Sequence, residues 1–399
     1  MDRIRDLRLD GLKYVLICLV VLCHLMQGCR YDGSFFQAFY SVVYSFHMPL
    51  FVLLSGFFFH ANTYKKVHFS NKKLIEPFIV WHFFVLFFYE TLIVHQYDFK
   101  RYFIFEPSPL WYLISLIFWR WMTYCLDKAM GIKEMEFAWG GCPRTQFQKN
   151  GSSKMAEKVA NIARNCVETN GNDAKVCLDS DTLHPKIPPM EFSDSLGGGK
   201  KLLLVILSVI ISNLAFCLIN DIDGCYFSLM RTFQFFPFFV LGHCITQRQM
   251  VLFQKKPIVL TLFALSVISI VLISHYAGPE YNAILFSKYG IKELQNILGT
   301  DFAATFWIRF TCFLMSLSLC LFLLSIFRCS HWVSNNGIST LFILCTHVLL
   351  YYVVRQISSI IITFTIAILT ITVLTWLAKQ KVSHWLLYPF SSFLSFLIK

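Results

Sequence analysis

The chain has 399 residues, of which 56% are hydrophobic and 15% charged, with a mean hydropathy of +0.58 and a formal net charge of +12. Apolar runs of membrane-spanning length recur from end to end, which excludes a soluble enzyme or a soluble domain on a single anchor and leaves an all-α, polytopic membrane helix bundle. The cations sit in short stretches between those runs, as loop orientation in a membrane requires, so the positive balance is not a nucleic-acid footprint.

Fourteen cysteines are scattered, mostly inside apolar runs and with no C-x-x-C pair, which argues against a zinc site or a disulfide framework. Ten spans are expected, at about 12–29, 38–59, 74–94, 108–126, 202–219, 233–249, 257–275, 304–327, 338–354 and 358–378. They form two membrane blocks, 1–127 and 202–378, separated by a polar insertion at 128–201 and followed by a tail at 379–399. Lysines 65, 66, 72, 73, 255, 256, 379 and 381, with Arg248 and Arg328, fall in the turns on one side, which places both termini in the cytoplasm.

The first span opens with Arg3, Arg5 and Arg8, and no small-residue cleavage site follows it, so it reads as an uncleaved span. Within it Lys13 and His24 are eleven residues apart. On a helix that leaves them within ~20° of one stripe and ~16 Å apart along the axis. With Lys13 at the cytoplasmic boundary, His24 lies near mid-bilayer, where a titratable ring is costly and points to function unless a neighbouring helix holds it for packing alone.

The second span carries His47 at a similar depth, then Pro49 and the pair Ser55-Gly56, which suit either a cavity wall or ordinary close packing. A basic turn ending in Lys72-Lys73 and Glu76-Pro77 reads as a topology signal or as a phosphate clamp. Glu90 is a further buried or interfacial charge, and Trp111-Tyr112 open the fourth span in an interfacial belt. Arg120, between Trp119 and Trp121, is placed to snorkel or to stack on indole.

The insertion is hydrophilic and holds Cys142, Cys166 and Cys177, with one helical-looking piece from Lys154 to Val167. It is a small domain or a long loop. Beyond it, Arg231 to His243 form the sixth span, a loop at 276–303 precedes Trp307 and Arg309, and Asn335-Asn336-Gly337 open a ninth span with His347 in mid-membrane. The tail is broken by Pro389, too short to cross, and is expected at the inner interface.

The succession Leu9-Asp10-Gly11-Leu12, His24, Phe46-His47-Met48-Pro49-Leu50-Phe51, Ser55-Gly56, Pro77 and Pro109-Leu110-Trp111-Tyr112 resembles the type-three acyltransferase family, integral-membrane enzymes that O-acylate sugars. Phe236-Pro237-Phe238-Phe239, Leu241-Gly242, Asn336-Gly337-Ile338-Ser339 and His347 look like its later landmarks. Where the family carries arginines, this sequence has Lys13 and the Lys72-Lys73 pair, keeping the charge without the bidentate fork.

The resemblance implies acyl-CoA as a cytoplasmic co-substrate, no tightly bound cofactor or metal, and a glycan or lipid-linked sugar acceptor at or beyond a bacterial cytoplasmic membrane. Acyl transfer from a thioester needs a base for the sugar hydroxyl, a role assigned to His24 with His47 as second choice. Lys13, Lys72 and Lys73 are assigned to the CoA phosphates, and Trp111, Arg231 and His347 to substrate. Acetyl or succinyl is the expected group. A transporter or flippase of a glycan or lipid intermediate uses the same buried histidines and basic mouth, but no internal repeat supports it. A membrane scaffold without activity is the third reading.

Overall fold

The computed structural model describes residues 7–60, 67–95, 110–130, 198–219, 228–354, 357 and 359–397. The chain divides into two units, Met1–Ile132 with Gly198–Lys399, and Lys133–Gly197; the second lies outside the described residues, as do the expectations for Lys65, Lys66, the 96–109 loop and nearly all of the 128–201 insertion.

The described residues of the first unit are helical, with no strand among them. The helices are α1 (Leu7–Leu25), α2 (Ser34–His60), α3 (Val67–Tyr89), α4 (Trp111–Ala129), α5 (Gly198–Leu218), α6 (Leu229–Cys244), α7 (Gln247–Leu252), α8 (Lys256–His275), α9 (Pro279–Leu285), α10 (Ile291–Leu298), α11 (Phe302–Ile326), α12 (His331–Asn335), α13 (Thr340–Val354), α14 (Ile360–Leu377), α15 (Lys381–Leu387) and α16 (Pro389–Leu397). Among the described residues eight segments are long and apolar enough to cross a membrane, one of them α12 and α13 run together as His331–Val354. The protein is thus an all-α polytopic bundle. The other two expected spans are also helices, but they fall short of that test. α6 has only 16 residues, and α4 carries Arg120, Asp127 and Lys128 among its 19.

The two ends of the bundle are distinguishable by contact. At one end the Leu7 carbonyl accepts from Ser334 Oγ at 2.8 Å; at the other, Cys29 Sγ lies 3.2 Å from Thr363 Oγ1. We call these the near and far ends. α1 and α13 run near to far, whereas α2, α4 and α6 run far to near.

α2 is the axis of the bundle, packing on α1, α4, α6, α8, α9 and α11. Its most extensive partner is α6, and small residues explain why. A Cβ on Gly56 would stand 1.9 Å from the Phe239 carbonyl oxygen, and one on Gly242 would stand 1.9 Å from that of Leu53. Backbone therefore meets backbone where the two helices cross, the closest approach that helix surfaces permit. The Ser55-Gly56 expectation is met, with Gly242 as its counterpart.

A second close approach joins the two ends of the sequence. A Cβ on Gly337 would stand 2.5 Å from the Asp10 carbonyl oxygen, and one on Gly11 would stand 2.4 Å from Cys329 Sγ. The Asp10-Gly11 and Asn336-Gly337 landmarks are thus one packing contact. The tail docks on α3, where Trp81 Nε1 donates to the Leu386 carbonyl at 3.2 Å and Glu76 accepts from the Ser391 amide at 2.9 Å. The expected outer loop folds as α9 and α10, lying over the far end.

Candidate active site

α1, α2 and α13 bring three histidines together at the far half of the bundle. His24 is the penultimate residue of α1. α1 begins at Leu7 and carries His24 to its last turn, with the candidate span running on to Cys29. His24 Nδ1 stands 2.9 Å from His347 Nε2, and the rings meet edge to edge along that hydrogen bond, with centroids 5.2 Å apart and planes tilted by 22°.

Elementary valence fixes which nitrogen carries which proton. His347 Nδ1 lies 2.9 Å from the Ile343 carbonyl, an oxygen that can only accept, so Nδ1 is the protonated nitrogen of His347. In the neutral ring Nε2 is then an acceptor, and the 2.9 Å contact requires His24 to donate from Nδ1. The lone pair of His24 is left on Nε2. His47 follows the same rule, with Nδ1 2.7 Å from the Val43 carbonyl and its lone pair on Nε2. No other hydrogen bond to the His24 or His47 ring is present among the described residues.

His24 and His47 both line a cavity of about 310 Å³. Trp111 and Arg231 stand on the same wall, with the Arg231 guanidinium 5.3 Å from the Trp111 ring centroid and its Nε donating to the Phe286 carbonyl at 3.1 Å. That contact, with Gln234 Nε2 donating to Tyr289 at 3.1 Å, holds the segment between α9 and α10 against the cavity. Lys288 from this segment is a second cation on the wall. Four predicted residues thus share one cavity, and a fifth, His347, stands directly behind His24.

Two of the predicted phosphate-binding lysines, Lys13 and Lys73, do not line this cavity. Lys13 is at the near end, paired with Asp10 at 2.6 Å and set over the Phe58 ring at 4.0 Å. Sharing a stripe with His24 does not bring it to the cavity, since α1 itself separates the two by ~16 Å. Lys73 is exposed on α3, and the side chain of Lys72 lies outside the described residues.

Between the two ends runs a file of polar side chains. Tyr112, on the cavity wall, hydrogen-bonds through its hydroxyl to Ser55, two turns beyond His47 on α2. Nearer the Lys13 end, Arg120 donates to Asn71 Oδ1 at 3.2 Å. Asp127 and His243 form a buried pair at 3.0 Å.

Residues 6–124 match the family described as an acyltransferase domain, that of the type-three acyltransferases. This segment is similar to that family over under a third of the chain. Two nodulation proteins NolL are also similar, that of Sinorhizobium fredii at 34% identity over 86 residues and that of Mesorhizobium japonicum at 33% over 85. Each match covers 19% of this chain and 23% of the relative, so the chain spans under a quarter of the length of the curated proteins it matches. No solved structure matches.

The matched segment holds α1, α2, α3 and most of α4, and hence Lys13, His24, His47, Lys72, Lys73 and Trp111. Arg231, Lys288 and His347 come from beyond it, so the cavity is completed by the second half of the chain. Lys288, Tyr112 and Tyr351, which lies 5.7 Å from the His24 ring, were not singled out from sequence as site residues. For Lys288 a signal existed, a cation in a loop facing an otherwise apolar bundle. For the tyrosines there was none, because aromatics are frequent everywhere in this chain.

Proposed function

We propose that the protein is a membrane acyltransferase that moves an acyl group, acetyl or succinyl, from acyl-CoA to a hydroxyl of a cell-surface or exported glycan. The observation that carries this reading is the bare Nε2 of His24, held by His347 on the wall of a cavity large enough for a sugar. An imidazole oriented through its other nitrogen is the arrangement that general-base catalysis requires.

The step balances as follows. His24 Nε2 takes the proton of the acceptor hydroxyl as its oxygen attacks the thioester carbonyl carbon. The new C–O bond forms, the C–S bond breaks, and the imidazolium returns the proton to the departing CoA sulfur. His347 accepts the hydrogen bond from His24 Nδ1 throughout and stabilises the transient imidazolium. Arg231, on the same wall, is the guanidinium available to the developing oxyanion.

In this reading both termini lie on the cytoplasmic face of a bacterial inner membrane, which the positive-inside distribution of lysines supports. CoA phosphates would then meet Lys13, Lys72 and Lys73 on entry. The thioester would reach the far-end cavity along the Tyr112–Ser55 and Arg120–Asn71 file, and the acceptor would enter from the opposite face. Purified protein in detergent, given acetyl-CoA and a glycan acceptor, should release free CoA thiol and acylate the glycan, with His24→Ala abolishing both. Full activity in a folded His24→Ala variant removes the assignment.

A further inference from the structure

Arg309 is a charge that the proposed acyl-transfer step does not use. It stands two turns into α11, only 8% exposed. Its Nη1 donates to Asn213 Oδ1 at 2.8 Å, Nη2 to Ser212 Oγ at 3.1 Å and Nε to Gln234 Oε1 at 3.4 Å, and the guanidinium lies 4.4 Å from the Phe216 ring centroid. All of these partners are neutral, and no carboxylate lies within ion-pair distance of Arg309 among the described residues. Hydrogen bonding is thereby provided while the charge is left uncompensated, a costly arrangement inside a membrane bundle. A pin between helices could be built from neutral groups.

Arg309 lines a side chamber of about 40 Å³, whose other polar lining includes Tyr44, Ser45, Gln234, Ser287 and Ser316. That is room for roughly three waters, the size of a carboxylate. The chamber adjoins the histidine cavity, sharing Tyr44, Phe235 and Leu285 as walls. Among the described residues neither chamber has Asp or Glu on its wall, while the larger one has Arg231 and Lys288.

We propose that the side chamber is an anion subsite, in which Arg309 takes the carboxylate or phosphate of an acidic acceptor sugar whose hydroxyl lies in the histidine cavity. The inference rests on the acyltransferase reading for what the sugar is doing there, but the subsite itself is tested by binding without turnover.

The probes are glucuronate, glucose 1-phosphate and glucose, titrated calorimetrically into the full chain in detergent without acyl-CoA. One of the two anions should bind about tenfold or more tightly than glucose, and which one does so separates carboxylate from phosphate. Arg309→Gln should reduce that affinity to the glucose level. Asn213→Asp, which supplies the absent counter-charge from within, should do the same while raising thermal stability, so the test survives a misfolded Arg309→Gln. Equal wild-type affinity for all three probes overturns the subsite, as does a preference that persists in Asn213→Asp. Anion binding by a protein that fails to acylate leaves the subsite standing and removes only the acyltransferase reading.

Discussion

His24 and His347 stand 323 residues apart in sequence and 2.9 Å apart in space, with the Ile343 carbonyl fixing the direction of the hydrogen bond between them. The consequence is a single tautomer at His24, with its basic nitrogen turned away from the supporting helix. A ring held by one in-plane hydrogen bond and a tilted contact with the Tyr351 ring keeps its aim as substrate comes and goes.

His347 is therefore a positioning residue, and its removal has a specific signature. His347→Ala should lower kcat by about 100-fold with KM for acetyl-CoA little changed, while His347→Gln, whose carbonyl can still accept from Nδ1, should recover part of the loss. The double variant His24→Ala, His347→Ala should be no slower than His24→Ala alone, because the two act as one unit. Independent, additive losses in steady-state assays would show that His347 serves something other than His24.

The α2–α6 crossing makes a prediction about stability rather than chemistry. Gly56→Ala and Gly242→Ala each drive a methyl into a backbone carbonyl, and neither carbonyl can move without its helix. Overpacking against backbone should cost each variant about 3 kcal/mol or more, at the upper end of what inserted methyl groups cost. The readout is the folded fraction after detergent extraction and heating. A conservative Ser55→Ala one residue away should be tolerated far better, since it only removes a hydroxyl bonded to Tyr112 and to the Phe51 carbonyl.

The bundle was legible because hydropathy sets helix positions in a membrane, and every expected span is a helix. His24, His47, Trp111 and Arg231, which line one cavity, were legible as candidates because titratable or amphipathic groups within apolar runs have few bland explanations. What the sequence could not supply was depth and pairing. Angular arithmetic correctly put Lys13 and His24 on one stripe, yet only the start of α1 at Leu7 shows that they serve opposite ends. Asp10, one turn from Lys13, was a visible partner that competes for the lysine. Arg309 was visible as a charge within a span, but its neutral partners come from α5 and α6, and no local pattern announces them. α6 itself read as an ordinary span, whereas burial on nearly all sides lets it be short.

The Asp127–His243 pair is buried away from the cavity, with side chains 2% and 4% exposed. Asp127→Ala leaves the imidazole without its carboxylate and should cost about 3–5 kcal/mol, the usual penalty for breaking a buried pair from one side. Asp127→Asn, which still accepts from Nε2, should cost less. Turnover per folded molecule should stay at the wild-type level in both, measured against thermal unfolding of the same samples. A fall in turnover without a fall in stability would place this pair in the reaction instead.

Lys13 decides whether the donor enters at the near end. It is held by Asp10 on one side and the Phe58 ring on the other, a cradle that positions the ammonium without burying it. If CoA phosphates meet it, Lys13→Met should raise KM for acetyl-CoA about tenfold and leave kcat almost unchanged, since the lost contact is the same in ground and transition states. Lys13→Arg should hold KM at or below the wild-type value, because the guanidinium adds a forked contact to phosphate. Raising the salt concentration should raise KM for the wild type and have less effect on Lys13→Met. An unchanged KM in Lys13→Met would separate the donor from this end of the bundle and direct the search for its entrance to the far end, where Arg231 and Lys288 supply the alternative charge.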